Sequence, residues 1–526
     1  MKMKYTVSAV AVLIAAGTQN AQADVTLPTM FGDNMVLQQN APIRLWGHAE
    51  PGEKVSVSWV KVTGDGNTDR LPSKAVETTT GSDGKCNVTL APVKAGSNPL
   101  NLVVQGKNTL TLKNVLVGEV WLCTGQSNME WVLRNAFEGE KAVATAINPQ
   151  IRLFHVKKVR SDKPLEDVQA TWMECTPENV ATFSAVGYYF ARDLAKSRNV
   201  PIGLIESDWG GTPAESWTPE ETLQGDVALS PLITNYPAAR ERLDKVLADY
   251  PAQVEKAKAE GKKAPNRPNL WRYSELYNGM LAPLAPLSVK GAIWYQGESN
   301  TGRAEQYRTL LPAMIRSWRE KFHNPNLVFL IAQLAPFSAG NKDATSYAEL
   351  REAQEYTTYV LPKTGRVVIT DVGEENDIHP RHKEPVGERL ALLARDVAYG
   401  EKIDGQSPRV KKFEAGKTPN TLLVTFENVG GGLVTRGGEI SKNTVEDGKL
   451  LGFEIAGADG VFVPAEARIV DKDRVEVSAT SVTAPKAVRY GFRNFVLVNL
   501  FSKEGLPAAP FRSDAPPSVA AALMGK

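Results

Sequence analysis

Cysteine and histidine are scarce in this chain, and net charge is nearly absent. Three cysteines in 526 residues, Cys86, Cys123 and Cys175, are too few for a disulfide framework. At most one pair forms after export, and Cys123 falls inside an apolar strand pattern that reads as a buried thiol. The five histidines, His48, His155, His323, His379 and His382, form no Cys/His cluster at zinc-site spacing. His379 and His382 are close, but Pro380-Arg381 between them would set a cation beside any metal. No catalytic metal and no cofactor is expected. The formal charge is +2. Lys2 and Lys4 precede residue 24 with no acidic residue beside them, so the remaining chain is formally neutral. It has no global field for nucleic acid or an anionic membrane.

Long hydrophobic runs are missing as well. The apolar stretch 7–16 is too short for a membrane span. With Lys2 and Lys4 before it and Ala21-Gln22-Ala23 after it, the stretch reads as a secretory signal over residues 1–23. The mature chain would begin near Asp24 and be periplasmic or secreted, and no cysteine follows to take a lipid anchor.

What is present is an ordinary soluble composition, 42% hydrophobic and 23% charged, in a chain too long for one core. Residues 24–114 alternate in short strands, as in Val55-Ser56-Val57-Ser58-Trp59-Val60, between turns such as Gly81-Ser82-Asp83-Gly84. They read as a β-sandwich. Over residues 115–400, strand patterns at 115–122, 202–206, 289–294, 327–331 and 366–370 alternate with helical ones, among them 186–196, 305–321 and 386–399. That predicts an α/β domain, a parallel sheet with helices on both faces. Residues 220–269 interrupt it with a Lys/Glu/Ala-rich segment, read as a solvated helical excursion without functional role. Strands return over 401–526 as a second β-domain.

In an open α/β sheet the ligand crevice lies beyond the carboxyl ends of the strands. Four segments of this chain arrive there. Gly125-Gln126-Ser127-Asn128-Met129 follows the first strand, and Ser207-Asp208-Trp209-Gly210-Gly211-Thr212 the second. Gln296-Gly297-Glu298-Ser299-Asn300 follows the third, and the loop 371–380 with Asp377 and His379 the last. Taken singly, Ser127 is a helix cap, Gly210-Gly211 a turn, Gln296–Asn300 a polar helix start and His379 a loop histidine. Together they place a nucleophile, a base, paired glycines and a side-chain amide at one sheet edge, the set that acyl transfer needs. An α/β-hydrolase elbow is excluded, because Met129 stands where that turn needs glycine.

These motifs, with Gly118-Glu119-Val120-Trp121, Glu215-Ser216-Trp217, Trp294-Tyr295 and Asp377-Ile378-His379-Pro380, resemble the sialate O-acetylesterase family of the SGNH/GDSL hydrolases. Phe31-Gly32-Asp33-Asn34-Met35-Val36-Leu37-Gln38 and Glu504-Gly505-Leu506-Pro507 extend the resemblance along the chain. It implies a flavodoxin-like SGNH-hydrolase α/β/α core flanked by N- and C-terminal β-sandwich-like domains. It also implies ester hydrolysis with Ser127 as nucleophile and His379 as base. The oxyanion donors would be the Ser127 N–H, Gly210 or Gly211, and an amide, taken as Gln296 with Asn300 the alternative. Asp377 is expected to steady His379, although Asn376 holds the position where the superfamily pattern has aspartate. Trp209, Glu298, Asn300 and Arg303 are candidate substrate contacts. Arg134 and Arg381 stand beside Arg303 as cations for a sialic acid carboxylate. The expected partner is an O-acetylated sugar or glycan, with acetylated xylan as the alternative substrate. A non-catalytic carbohydrate-binding protein is the reading from a different class, resting on Trp121, Trp131, Trp209, Trp217 and Trp294 near the crevice.

Overall fold

The computed structural model describes residues 24–62, 68–70 and 74–523, so the expected signal segment lies outside the described residues. Its centre is a run of seven strands within a twelve-stranded sheet: β1 (Thr109–Gly125), β2 (Asn148–His155), β3 (Trp172–Cys175), β4 (Ile202–Asp208), β5 (Gly291–Tyr295), β6 (Val328–Ala332) and β7 (Thr364–Val367). They lie in the order β3-β2-β4-β1-β5-β6-β7. All neighbours are parallel except β3 with β2. The five strands foreseen from sequence, β1, β4, β5, β6 and β7, stand second-first-third-fourth-fifth, the flavodoxin-like order.

Side chains along each strand alternate between two cores. From β1, Val120 and Leu122 enter one while Trp121 and Cys123 enter the other; from β5, Ala292 and Trp294 part in the same way from Ile293 and Tyr295. Helices α2 (Ala185–Arg198) and α6 (Glu384–Val397) cover the Trp121 face, and α4 (Ala304–Lys321) and α5 (Ser346–Val360) cover the other, with the short α1 (Ser127–Glu130) and the long α3 (Tyr236–Ala259) completing the helices used below. Two covered faces explain why these strands read as unbroken apolar runs. Cys86, Cys123 and Cys175 are all free and buried.

Three features lay outside the sequence pattern. Strand β1 is one continuous strand through residue 114. Its first half pairs antiparallel with Gly96–Gln105, and its second half pairs with β4 and β5. The change of pattern near 115 is thus a change of neighbours within a strand rather than a linker. Strands β2 and β3 were not foreseen: β2 carries Pro149 near its start and β3 has only four residues, with polar Glu174 inside. Helix α5 was hidden because Arg351, Glu352, Gln354 and Glu355 are all buried along it, which erases the apolar stripe.

The C-terminal region holds two four-stranded antiparallel sheets around a core that includes Val424, Ile455, Val475 and Val488. It grips the central domain at α5, where Arg512 donates to both oxygens of Glu352 at 2.9 and 2.8 Å. No described helix is long and apolar enough to cross a membrane.

Candidate active site

Ser127 stands at the carboxyl end of β1, where Gly125 pairs with both Asp208 of β4 and Tyr295 of β5. The residue in the N-cap position of α1 is Gln126, and Ser127 is the first helical residue. Its hydroxyl is therefore not spent on capping. It lies 2.8 Å from Nε2 of His379, 252 residues away. The side chain of Gln126 turns the other way and accepts from the N–H groups of Gly297 and Ser299, each at 3.3 Å. That ties the first motif to the third.

The loop carrying His379 is braced from several directions. Arg389 of α6 donates to both oxygens of Asp371 at 2.7 and 2.6 Å. From the C-terminal region the Ser441 N–H and hydroxyl donate to the carbonyls of Asp371 and Thr370, and Lys442 reaches Glu374. Asn128 donates to the carbonyl of Ile378 at 3.0 Å, and the Trp131 ring stacks on the imidazole at 5.5 Å. Asp377 accepts the backbone N–H of His379 at 2.9 Å, while its Oδ1 lies 3.9 Å from Nδ1, close enough for charge attraction but too far for a hydrogen bond. Asn376 is exposed to solvent. Burial pushes His379 below the ordinary imidazole range, and the Lys383 cation pushes the same way against Asp377 and Glu130. The ring is thus held in its neutral form, as a base requires.

This geometry separates Asp377 from Asn376. Asp377→Ala should lower kcat about tenfold to a hundredfold, less than loss of a directly bonded triad acid, because the carboxylate is half-exposed and does not touch Nδ1. Asn376→Ala should stay within about twofold. Steady-state kinetics at matched folding decides it, and a fall in kcat confined to Asn376→Ala would reverse the assignment.

The glycine loop after β4 comes against Ser127. A Cβ on Gly210 would stand 3.2 Å from both the Ser127 Cβ and Oε2 of Glu130, and Gly211 has a φ of +75°, so glycine serves the close approach at one position and the left-handed turn at the next. The Gly210 N–H donates to Oε2 of Glu130 at 2.6 Å, and Lys158 holds the other oxygen at 2.5 Å. A carboxylate oxygen thus already occupies a backbone donor beside Ser127.

The amide expected to join them is placed otherwise. Gln296 is fully buried, and its Nε2 donates to the Thr212 carbonyl at 3.1 Å and to Oδ1 of Asn300 at 2.7 Å. Both hydrogens are taken. Its Oε1 accepts from the Tyr307 hydroxyl at 2.9 Å. The alternative, Asn300, is also buried; it accepts from Ala214 N–H and donates to Glu215. The expectation of an oxyanion donor at Gln296 or a sugar contact at Asn300 is corrected: the two amides lock the loop after β5 to the loop after β4.

Glu298 lies behind the site rather than in it. Its Oε1 accepts from Asn128 at 2.6 Å and its Oε2 is buried without a partner. Burial raises its pKa. The same Asn128 accepts from the buried Lys383 ammonium at 2.5 Å, which burial brings down to about 7. Arg303 is at the rim, paired with Glu215 at 2.8 Å, and Trp209 is half-buried with its edge on Trp271 at 5.2 Å. Trp121, Trp217 and Trp294 are core residues. Sequence reasoning missed Asn128, Glu130, Lys158 and Lys383. The first two stand within or beside the Ser127 motif, but Lys158 and Lys383 carry no local signal.

A carbohydrate esterase profile, described as sialic acid-specific acetylesterase, matches residues 117–244 and 261–394. The sialate O-acetylesterase of Mus musculus is 30% identical over 458 residues, which span 80% of this chain and 82% of that protein. The chain belongs to this family. The Homo sapiens sialate O-acetylesterase is likewise 30% identical, over 79% of each chain. Among solved structures, a carbohydrate acetylesterase from Xanthomonas citri is 38% identical and superposes with a TM-score of 0.77, covering 94% of this chain and all of that one. A family member with this architecture is a carboxylic ester hydrolase that removes O-acetyl groups, and the α/β core with its β-rich flank is the fold of the family. The profile match breaks at residues 245–260, over the second half of α3 and the residue after it.

Proposed function

We propose that Ser127 and His379 carry out a two-step hydrolysis of O-acetyl esters on sugars, with 9-O-acetylated sialic acid as the preferred substrate. Ser127 Oγ adds to the acetyl carbonyl carbon while its proton passes to Nε2 of His379. The carbonyl then re-forms, the bond to the sugar oxygen breaks, and that oxygen takes the proton from the imidazolium. Water, deprotonated by His379, cleaves the acetyl-enzyme and restores the serine. The observation that carries this reading is the 2.8 Å contact between Oγ and Nε2 at the carboxyl edge of the sheet. With Nε2 as acceptor, Nδ1 carries the ring proton and faces Asp377, whose charge favours the imidazolium.

The oxyanion is assigned to the Ser127 N–H and the glycine loop. Gly210 N–H already binds an anionic oxygen of Glu130 beside Ser127, and that oxygen, whose carboxylate Lys158 also holds, must give way to the developing oxyanion. The leader pattern of residues 1–23 supports export, and a mature N-terminus at Asp24 on sequencing the secreted protein tests it.

Acetate release from 9-O-acetylated sialic acid, acetylated xylan and acetylated pectin tests the substrate. The sialate ester should be cleaved with the highest kcat/KM. The second reading, a neutral acetylated glycan, draws support from the 38% identity to a carbohydrate acetylesterase, and faster xylan cleavage would favour it.

A further inference from the structure

A cavity of about 470 Å³ lies beside the loop after β4, and its walls include Glu215, Tyr236, Arg242, Trp271, Tyr273 and Arg303. Its wall is linked to the Ser127 loop through neighbouring residues: a Cβ on Gly210 would stand 3.2 Å from the Ser127 Cβ, Trp209 precedes Gly210, and the Trp209 ring meets Trp271 edge-on at 5.2 Å. The Arg160 guanidinium lies 4.8 Å from the Trp271 ring centre, and Tyr236 meets Tyr273 edge-on at 5.6 Å. The outer wall comes from α3 and the segment before it, the insertion read from sequence as a solvated excursion. That expectation changes here, because α3 buries no residue of its own and yet closes a cavity.

The charges around this space do not balance. Glu215 is the acidic residue of the lining, and its carboxylate is spent: Oε1 accepts from Arg303 at 2.8 Å and Oε2 from Asn300 at 2.9 Å. The neighbouring acids of α3 are spent along the helix, Asp244 on Arg240 and Glu241 on Lys245. Arg242 has no hydrogen-bond or ion-pair partner among the described residues. A guanidinium facing a cavity with aromatic walls is suited to a planar anion carried on a ring with an apolar face.

We propose that this cavity is a subsite for a carboxylated sugar, held by its carboxylate on Arg242 with its ring against Trp271 and Tyr236. The assignment rests on the reading that an acetylated sugar presents its ester to Ser127, and it adds the group that makes an acidic sugar the better substrate. Arg242 is exposed on a helix surface, so its replacement leaves the core intact.

The test compares wild type, Arg242→Ala and Arg242→Lys on 9-O-acetylated sialic acid and on 4-nitrophenyl acetate, which carries no carboxylate. In parallel, calorimetry measures free N-acetylneuraminic acid binding to Ser127→Ala with and without Arg242→Ala. Arg242→Ala should raise KM for the sialate ester about tenfold while kcat holds, so that the ratio of kcat/KM for the two substrates falls about tenfold. Arg242→Lys should recover part of that loss. An unchanged ratio with an active wild type overturns the subsite and spares the esterase reading. A wild type that cleaves only neutral esters overturns the substrate reading. In that case Arg242-dependent binding of the free acid still upholds the subsite, and its absence removes both.

Discussion

Ser127→Ala should lower kcat/KM on 4-nitrophenyl acetate by about 10⁴-fold or more while leaving the fold untouched. The reason lies in what the hydroxyl does. Ser127 is half-exposed, stands at the first position of α1 rather than at its cap, and its hydroxyl contacts Nε2 of His379. Removing it costs the helix no capping bond, so thermal stability should move by no more than about 0.5 kcal/mol. The reporter needs no sugar contact, and its loss therefore reads the chemical step directly. Activity retained within tenfold in a folded Ser127→Ala protein would remove the acetyl-enzyme and, with it, the assignment of the nucleophile. A protein that only bound carbohydrate would lose nothing by this change.

His379→Ala should cost about 10³- to 10⁴-fold in kcat, because Ser127 then has no acceptor for its proton. The loop should survive, since Arg389, Ser441 and Asn128 hold it through Asp371, Thr370 and Ile378 rather than through the ring. The pH profile gives a second, independent readout. The base must be neutral, and His379 is held below the usual value of 6.5, first by burial and then by Lys383. The acid limb of kcat/KM should therefore lie below pH 6.5. Lys383→Met removes a cation that disfavours the imidazolium, so the acid limb of kcat/KM should move to higher pH. An acid limb that stays in place in Lys383→Met would mean that the buried ammonium does not act on the ring.

How far the sequence reached can be argued element by element. The strands ending near Ser127, Trp209, Gln296 and the His379 loop were legible because each is buried on both faces and punctuated by turn residues. The site loops followed, since loops at the carboxyl ends of parallel strands share one edge whatever their side chains do. Helix α5 was not legible, because its buried face carries Arg351, Glu352, Gln354 and Glu355, which satisfy partners far away in the chain. Asn128 and Lys383 escaped for a similar reason: they are 255 residues apart, and only the fold brings them to 2.5 Å.

The sequence by itself determined the sheet edge and the loops that carry the proposed nucleophile, the proposed base and the paired glycines, because periodicity and turn chemistry are local properties of the chain. The tertiary structure decided which polar groups are free to act. Gln296 had the right chemistry for an oxyanion donor, but both of its amide hydrogens go to Thr212 and Asn300. Gly210 N–H is engaged by Glu130, Lys383 loses its solvent beside His379, and a charged insertion becomes the wall of a cavity. Each of these depends on hydrogen-bond occupancy or desolvation by neighbours distant in sequence, and neither quantity exists until the chain has folded.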